Sequence, residues 1–125
     1  MKERYIKLLL PLPISINKAF CNAKKWRVKS DEYKNWEKLA YYELLKQPRF
    51  KIIWDKWLEV FYTYYMPIYT KNKKIKKIDV FNYEKVLSDF LEHNIEWFRD
   101  EKIKIWHISK HDSNRNEVEI YIKEV

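Results

Sequence analysis

The sequence predicts an α+β fold, a mixed sheet covered by two helices, and three observations carry that prediction. Alternating apolar residues mark strands near both ends and in the middle of the chain. Two other stretches carry their apolar residues at helical spacing. The elements fall in the order β-α-β-α-β-β, with no internal repeat or linker between them. At 125 residues the chain is too short for a second core, so residues 1–125 are expected to form one domain.

Arg4 to Leu10 reads as the first strand, with Ile6, Leu8 and Leu10 on one face, and it stops at Pro11-Leu12-Pro13, where ladder donors run out. Ser15 to Lys29 has no usable period. It carries Lys18, Lys24, Lys25, Arg27 and Lys29 without an acid and is expected to be a charged loop. Ser30 is an N-cap, with Asp31 and Glu32 in the first turn, and Tyr33, Trp36, Leu39, Ala40 and Leu44 share a helical face that should end before Pro48.

From Trp57 to Met66 the stretch is dense in β-branched and aromatic residues. Leu58, Val60, Tyr62, Tyr64 and Met66 alternate with Trp57, Glu59, Phe61, Thr63 and Tyr65, the pattern of a strand with both faces occupied at the centre of a sheet. Pro67 ends it, and Tyr69 to Ile78 supplies Lys71, Lys73, Lys74, Lys76 and Lys77, again without an acid. Asp79 caps a second helix whose apolar stripe is Val80, Tyr83, Leu87, Phe90 and Leu91, leaving Asn82, Lys85 and Asp89 on a polar face. Ile103 to Ser109 and Glu117 to Lys123 are expected to pair as a hairpin around the polar run His111 to Asn116.

Composition narrows the chemistry. Glycine is absent, which removes phosphate cradles built on glycine amides and the G-x-S-x-G nucleophile elbow. The apolar fraction of 46%, with 18% aromatics, is too high for a disordered chain. One cysteine, Cys21, allows no intrachain disulfide, and no signal or membrane-spanning run is visible, so a cytoplasmic protein without membrane contact is expected. The formal charge of +8 favours a polyanionic partner; a basic surface also serves solubility alone.

Asp79, at a helix start behind a lysine-rich segment, can hold a divalent metal where basic side chains deliver phosphates, or it can simply cap the helix. Asp100, beside Glu101, approaches Asp79 if the strand that follows lies next to the central one; alone it is a solvated turn acid. His107 and His111 lack further zinc ligands nearby in sequence, and Cys21 lacks an activating base, which favours a structural thiol. Trp36, Tyr62, Tyr64 and Tyr83 sit at core-facing positions, whereas Trp26, among Lys24, Lys25 and Arg27, suits a base or sugar contact.

Taken in order, these residues resemble the RusA family of Holliday junction resolvases, small dimeric magnesium-dependent nucleases that cut four-way DNA junctions. Leu10-Pro11-Leu12-Pro13-Ile14-Ser15-Ile16-Asn17 is similar to that family's L-P-x-P-x-S-x-N opening. Asp79-Val80-Phe81-Asn82-Tyr83-Glu84-Lys85 resembles its D-[aliphatic]-D-N-x-x-K signature, and Asp89-Phe90-Leu91 and Arg99-Asp100-Glu101-Lys102-Ile103 resemble its D-x-L and D-D-x-x-[IV] segments.

The resemblance implies a RusA-like domain and assigns Asp79 and Asp100 as ligands of magnesium or manganese, with Lys85 as the catalytic lysine at the scissile phosphate. It implies DNA contacts from Asn17, Lys18, Lys24, Lys25, Arg27, Lys71, Lys73, Lys74, Lys76, Lys77 and Asn82, and a homodimer on branched DNA in recombination and repair. Phe81 stands where the family has its second aspartate, and Arg99 replaces the first acid of the D-D pair. Glu84, one turn after Phe81, is a candidate substitute. Two readings follow: a metal-dependent resolvase, or a catalytically lapsed relative that binds nucleic acid or a nucleic-acid-loaded protein partner and acts by occupancy.

Overall fold

A computed structural model describes residues 5–23, 26–47 and 56–125. Its elements are β1 (Tyr5–Pro11), α1 (Ile16–Ala19), β2 (Phe20–Ala23), β3 (Trp26–Lys29), α2 (Asp31–Leu45), β4 (Leu58–Met66), α3 (Phe81–Asn94), a 3₁₀ turn (Asp100–Lys102), β5 (Ile103–Asp112) and β6 (Glu117–Glu124). Four strands form one sheet in the order β1-β6-β4-β5, and β2 pairs with β3 as a separate ribbon. β4 runs parallel to β5 and antiparallel to β6, so the sheet is mixed, as expected.

Alternation decides which face is covered. Ile6, Leu8 and Leu10 of β1, Val118, Ile120 and Ile122 of β6, and Leu58, Val60, Tyr62, Tyr64 and Met66 of β4 are all buried. They meet Tyr33, Trp36, Ala40 and Leu44 of α2 and Val86, Leu87, Phe90 and Leu91 of α3 in one core. Trp36 and Phe90 meet edge to face at 5.1 Å, joining the two helices. Ser30 caps α2 as expected, its hydroxyl accepting the Tyr33 N–H at 3.2 Å. Leu39, expected in the α2 stripe, is exposed, because it lies at the margin of the arc centred on Trp36 and Ala40.

Two expectations are corrected. β5 and β6 do not pair with each other: β6 inserts between β1 and β4, and β5 lies on the far side of β4. The burial patterns give the reason, since β6 carries three fully buried residues and needs neighbours on both sides, whereas β5 is exposed along most of its length. The segment Ser15 to Lys29 is not simply a charged loop. It folds into α1 and the β2–β3 ribbon, held to α2 by the Ser30 N–H donating to the Ala19 carbonyl at 2.8 Å. Lys24, Lys25 and the side chain of Trp26 lie outside the described residues.

Candidate nucleic-acid interface and metal-binding acids

The lysine-rich segment is a small hairpin. Tyr69 bridges Ile75, the Thr70 N–H donates to the Lys74 carbonyl at 2.7 Å, and the Lys76 N–H donates to the Ile68 carbonyl at 2.8 Å. At its tip Lys73 takes a left-handed conformation, φ 59°, in a chain that has no glycine to place there. Lys71, Lys73, Lys74 and Lys77 are exposed, Lys76 is half-buried, and Ile75 is 75% exposed among them. A built turn of one sign of charge concentrates positive potential at a defined place.

That hairpin leads into the start of α3. The expectation that Asp79 caps the helix is corrected: α3 starts at Phe81 with Val80 at the N-cap and no side-chain cap. The Asp79 carboxylate instead accepts the Phe81 N–H at 3.0 Å in a turn just ahead of the helix, its second oxygen making no hydrogen bond among the described residues. Phe81 is 66% exposed, so its ring is not part of the core. Lys85 is exposed one turn on, with its ammonium 3.5 Å from Asp89. Asn82 is half-buried and uses its N–H on the Asp79 carbonyl at 3.0 Å.

The Pro11 to Lys18 segment converges on the same end of the molecule. It lines a groove of about 580 Å³ together with Trp36 and with Tyr83 from the first turn of α3. The Trp36 indole N–H holds the Pro11 carbonyl at 3.0 Å, which fixes where the segment leaves β1. Asn17 and Lys18 are exposed beside it, and Arg27 lies over the Phe20 ring at 4.6 Å on the β2–β3 ribbon.

Asp100 stands elsewhere. Its N–H donates to Glu92 at 2.8 Å, and Glu92, Asp100 and Glu101 bring carboxylate oxygens within 4.8 Å of one another. Burial and the charges of Asp100 and Glu101 hold the Glu92 carboxyl above its ordinary range, although a hydrogen bond from the Asp100 N–H opposes this. Glu84 is pushed up too, first by burial and then by Asp100 and Asp89, against the Ser88 hydroxyl and Lys85. Ser88 links this acidic stripe to the core: it donates to Glu84 at 2.8 Å and meets the buried Tyr62 hydroxyl at 2.9 Å. Three carboxylates within 4.8 Å of one another are hard oxygen donors whose repulsion a divalent cation relieves, so the donor set fits magnesium or manganese.

The expectation that Asp100 returns to Asp79 is corrected by the crossover. β5 is indeed adjacent to β4, but parallel to it, so α3 must run back along the sheet between them. Asp79 binds the first residue of α3 and Asp100 binds Glu92 in its last turn, an axial separation of about 16 Å at the helical rise. The three acids that come together among the described residues, Glu92, Asp100 and Glu101, do not include Asp79. The sequence reading passed over Glu92 and Ser88, yet Glu84, Ser88 and Glu92 recur every four residues, the spacing of a single helical stripe.

The uncovered sheet face holds a separate cluster. Glu59 accepts from His107 at 2.8 Å and from Lys123 at 3.2 Å, and its carboxyl is held below the ordinary range, chiefly by the His107 hydrogen bond. Neither His107 nor His111 belongs to a three-ligand set among the described residues. Cys21 is exposed, so its thiol does not pack the core.

No helix among the described residues is long and apolar enough to cross a membrane. A comparison with curated proteins finds no match. Residues 11–123 match the family model described as Endodeoxyribonuclease RusA, a family of divalent-metal-dependent Holliday junction resolvases that act on branched DNA as dimers. The match spans nearly the whole chain, from the Pro11 segment through both acidic sites into β6, and the chain therefore belongs to the RusA family.

Proposed function

We propose that this protein is a cytoplasmic, homodimeric, structure-selective DNA-binding protein that recognises four-way and other branched DNA and hydrolyses it with magnesium or manganese. The observation that supports the reading best is the lysine hairpin that leads into Asp79 at the start of α3. Lys71, Lys73, Lys74, Lys76 and Lys77, with Lys18 of α1 and Arg27 of the β2–β3 ribbon, contact phosphates without reading bases, so selectivity comes from the shape of the branch.

Asp79 and Asp100 are the proposed metal ligands, with Glu92 and Glu101 adding negative charge at Asp100 that Phe81 cannot supply. The ion, when bound, activates water and neutralises charge on the scissile phosphate. Lys85 offsets the charge that develops on the phosphate oxygens. Asn82, beside it, orients the backbone being cut.

Phe81 favours a second reading, binding by occupancy, because a phenyl ring replaces an anionic ligand while leaving every phosphate contact in place. Labelled four-way junctions incubated with the protein and magnesium or manganese separate the two. Paired cuts lost in both Asp79→Asn and Asp100→Asn establish the nuclease; tight binding without cutting establishes occupancy; and failure to prefer branched over linear duplex overturns both.

A further inference from the structure

We propose that Lys110 and Asp112, at the end of β5, are positioning residues for DNA binding: Asp112 holds the entrance of the lysine hairpin and Lys110 its exit. The hairpin and the peptide that enters Asp79 are thereby fixed at one place on the sheet. The proposal deepens the reading of the hairpin as a phosphate-binding element and rests on it, while the clamp itself is argued from the bonds of the fold.

The bonds within the hairpin, the Tyr69–Ile75 bridge and the Thr70–Lys74 and Lys76–Ile68 backbone pairs, give it a shape but not a direction. A turn closed only on itself is free to swing about its ends. Here β5 takes both ends. The Asp112 carboxylate accepts the Ile68 N–H at 3.1 Å, and the Lys110 ammonium donates to the Ile78 carbonyl at 2.8 Å. The Ser113 N–H adds a bond to the Met66 carbonyl at 3.1 Å, just before the hairpin.

The register explains how one strand reaches both ends. β5 runs parallel to β4, with Lys110 opposite Tyr64 and Asp112 opposite Met66, so both strands finish where the hairpin begins. Tyr64 and Met66 are buried beneath the helices, and alternation puts Lys110 and Asp112 on that same face, away from His107, Ser109 and His111.

Charge separates these two residues from the rest of the surface. Lys71, Lys73, Lys74 and Lys77 are exposed, whereas Lys110 is half-buried and spends a donor on a backbone carbonyl. A charge-assisted bond of that kind is a stronger hold than a neutral one. Asp112 is an acid at the base of a hairpin that attracts polyanions, where it weakens the field of its own surface. Its bond to the Ile68 N–H supplies the compensating advantage, since a binding element held in place loses less freedom when it binds.

The test measures binding of labelled four-way junctions over a range of salt, together with amide hydrogen exchange, in the full chain. Asp112→Ala and Asp112→Asn remove the same charge, but only asparagine keeps an oxygen that accepts the Ile68 N–H. Asp112→Ala should bind several-fold more weakly than the wild type, and Asp112→Asn at least as tightly as the wild type. Lys110→Met should also bind several-fold more weakly with an unchanged slope of log K against log salt, and Lys110→Arg should recover the loss. A lysine in direct contact with a phosphate would instead flatten the slope by about 0.9 when removed. Exchange of the Thr70, Lys76 and Phe81 amides, which are bonded within the segment, should quicken several-fold in Asp112→Ala and Lys110→Met while the sheet amides keep their rates.

Equal affinities for Asp112→Ala and Asp112→Asn overturn the clamp, as does a flattened slope for Lys110→Met or unchanged exchange in both variants. Asp112 is exposed, so its two variants decide the matter alone should Lys110→Met fail to fold. Quickened exchange in a protein whose wild type does not bind junctions leaves the clamp standing and removes the phosphate-binding reading. Junction binding that treats the two Asp112 variants alike does the reverse.

Discussion

At Phe81 the chain sets an aromatic ring, 66% exposed, between the Asp79 carboxylate and Lys85 one turn further along α3. Since the ring is outside the core, Phe81→Asp buries no charge, and an acid in the first turn of a helix is favoured by about 0.3–1 kcal/mol. The variant should melt at or slightly above the wild-type temperature and bind manganese more tightly by calorimetry. A folded variant with unchanged affinity would show that position 81 is not a ligand position. Two other residues carry a cost the fold retains. The Tyr64 hydroxyl is buried without a partner among the described residues, and burial pushes its phenol far above the ordinary value. Removing such a group commonly gains about 1 kcal/mol, so Tyr64→Phe should raise stability in denaturant titrations. Lys73, in the left-handed region, carries a cost of about 1–2 kcal/mol that glycine avoids. Lys73→Gly should therefore stabilise the hairpin while weakening DNA binding, an opposition that separates a functional lysine from an accidental one.

The elements differ in how far they could be read. β1, α2, β4 and α3 were legible because each repeats its apolar period over two or more turns or pleats, and Tyr62 and Tyr64 fall in the core as that period requires. Partner choice was not legible. β5 and β6 have strand composition, but alternation says which side chains point inward and not which strand lies alongside, so a crossover around β4 looks like a hairpin in sequence. α1, β2 and β3 are each four residues, too short for any period to show. In the candidate site, the lysine segment and Asp79 were visible as composition and as an acid near a helix start, although the cap falls at Val80, whereas the Glu92–Asp100–Glu101 cluster depends on a tertiary turn. Two predictions belong at this scale. If the hairpin and ribbon neutralise about five phosphates, log K for a junction should fall with log salt with a slope of about −4 to −5. Replacing Lys73, Lys74, Lys76 and Lys77 by Gln should flatten that slope; an unchanged slope would remove the hairpin from the interface. The acidic stripe on α3 makes the other. Glu84 and Glu92 have folded-state values raised above the ordinary 4.5, so the folded chain holds protons more tightly than the unfolded one. Their contribution is fully present below about 4.5 and is lost as pH rises through the raised folded values. The melting temperature should fall over that interval, and the double variant Glu84→Gln with Glu92→Gln should lessen the fall.

For the whole molecule the question is whether one chain holds a complete site. The parallel crossover from β4 to β5 sets the residues bound by Asp79 and Asp100, Phe81 and Glu92, near opposite ends of α3, and a site shared across the two-fold axis of a dimer would bring the two acids together. This arrangement makes a prediction that no site contained in one chain makes. Asp79→Asn homodimers lack one ligand in both sites, and so do Asp100→Asn homodimers. When the two variants are mixed and allowed to exchange, about half of the dimers become mixed. In each mixed dimer one site has lost both carboxylates and the other has kept both. Manganese binding by calorimetry should therefore reappear in the mixture at one ion per mixed dimer, and any cleavage should nick a junction on one strand rather than cut it symmetrically. Were each site built within a single chain, every site in the mixture would still lack a ligand. Mixing would then restore nothing, and the ligands would have to be sought within one protomer, at Glu92, Asp100 and Glu101.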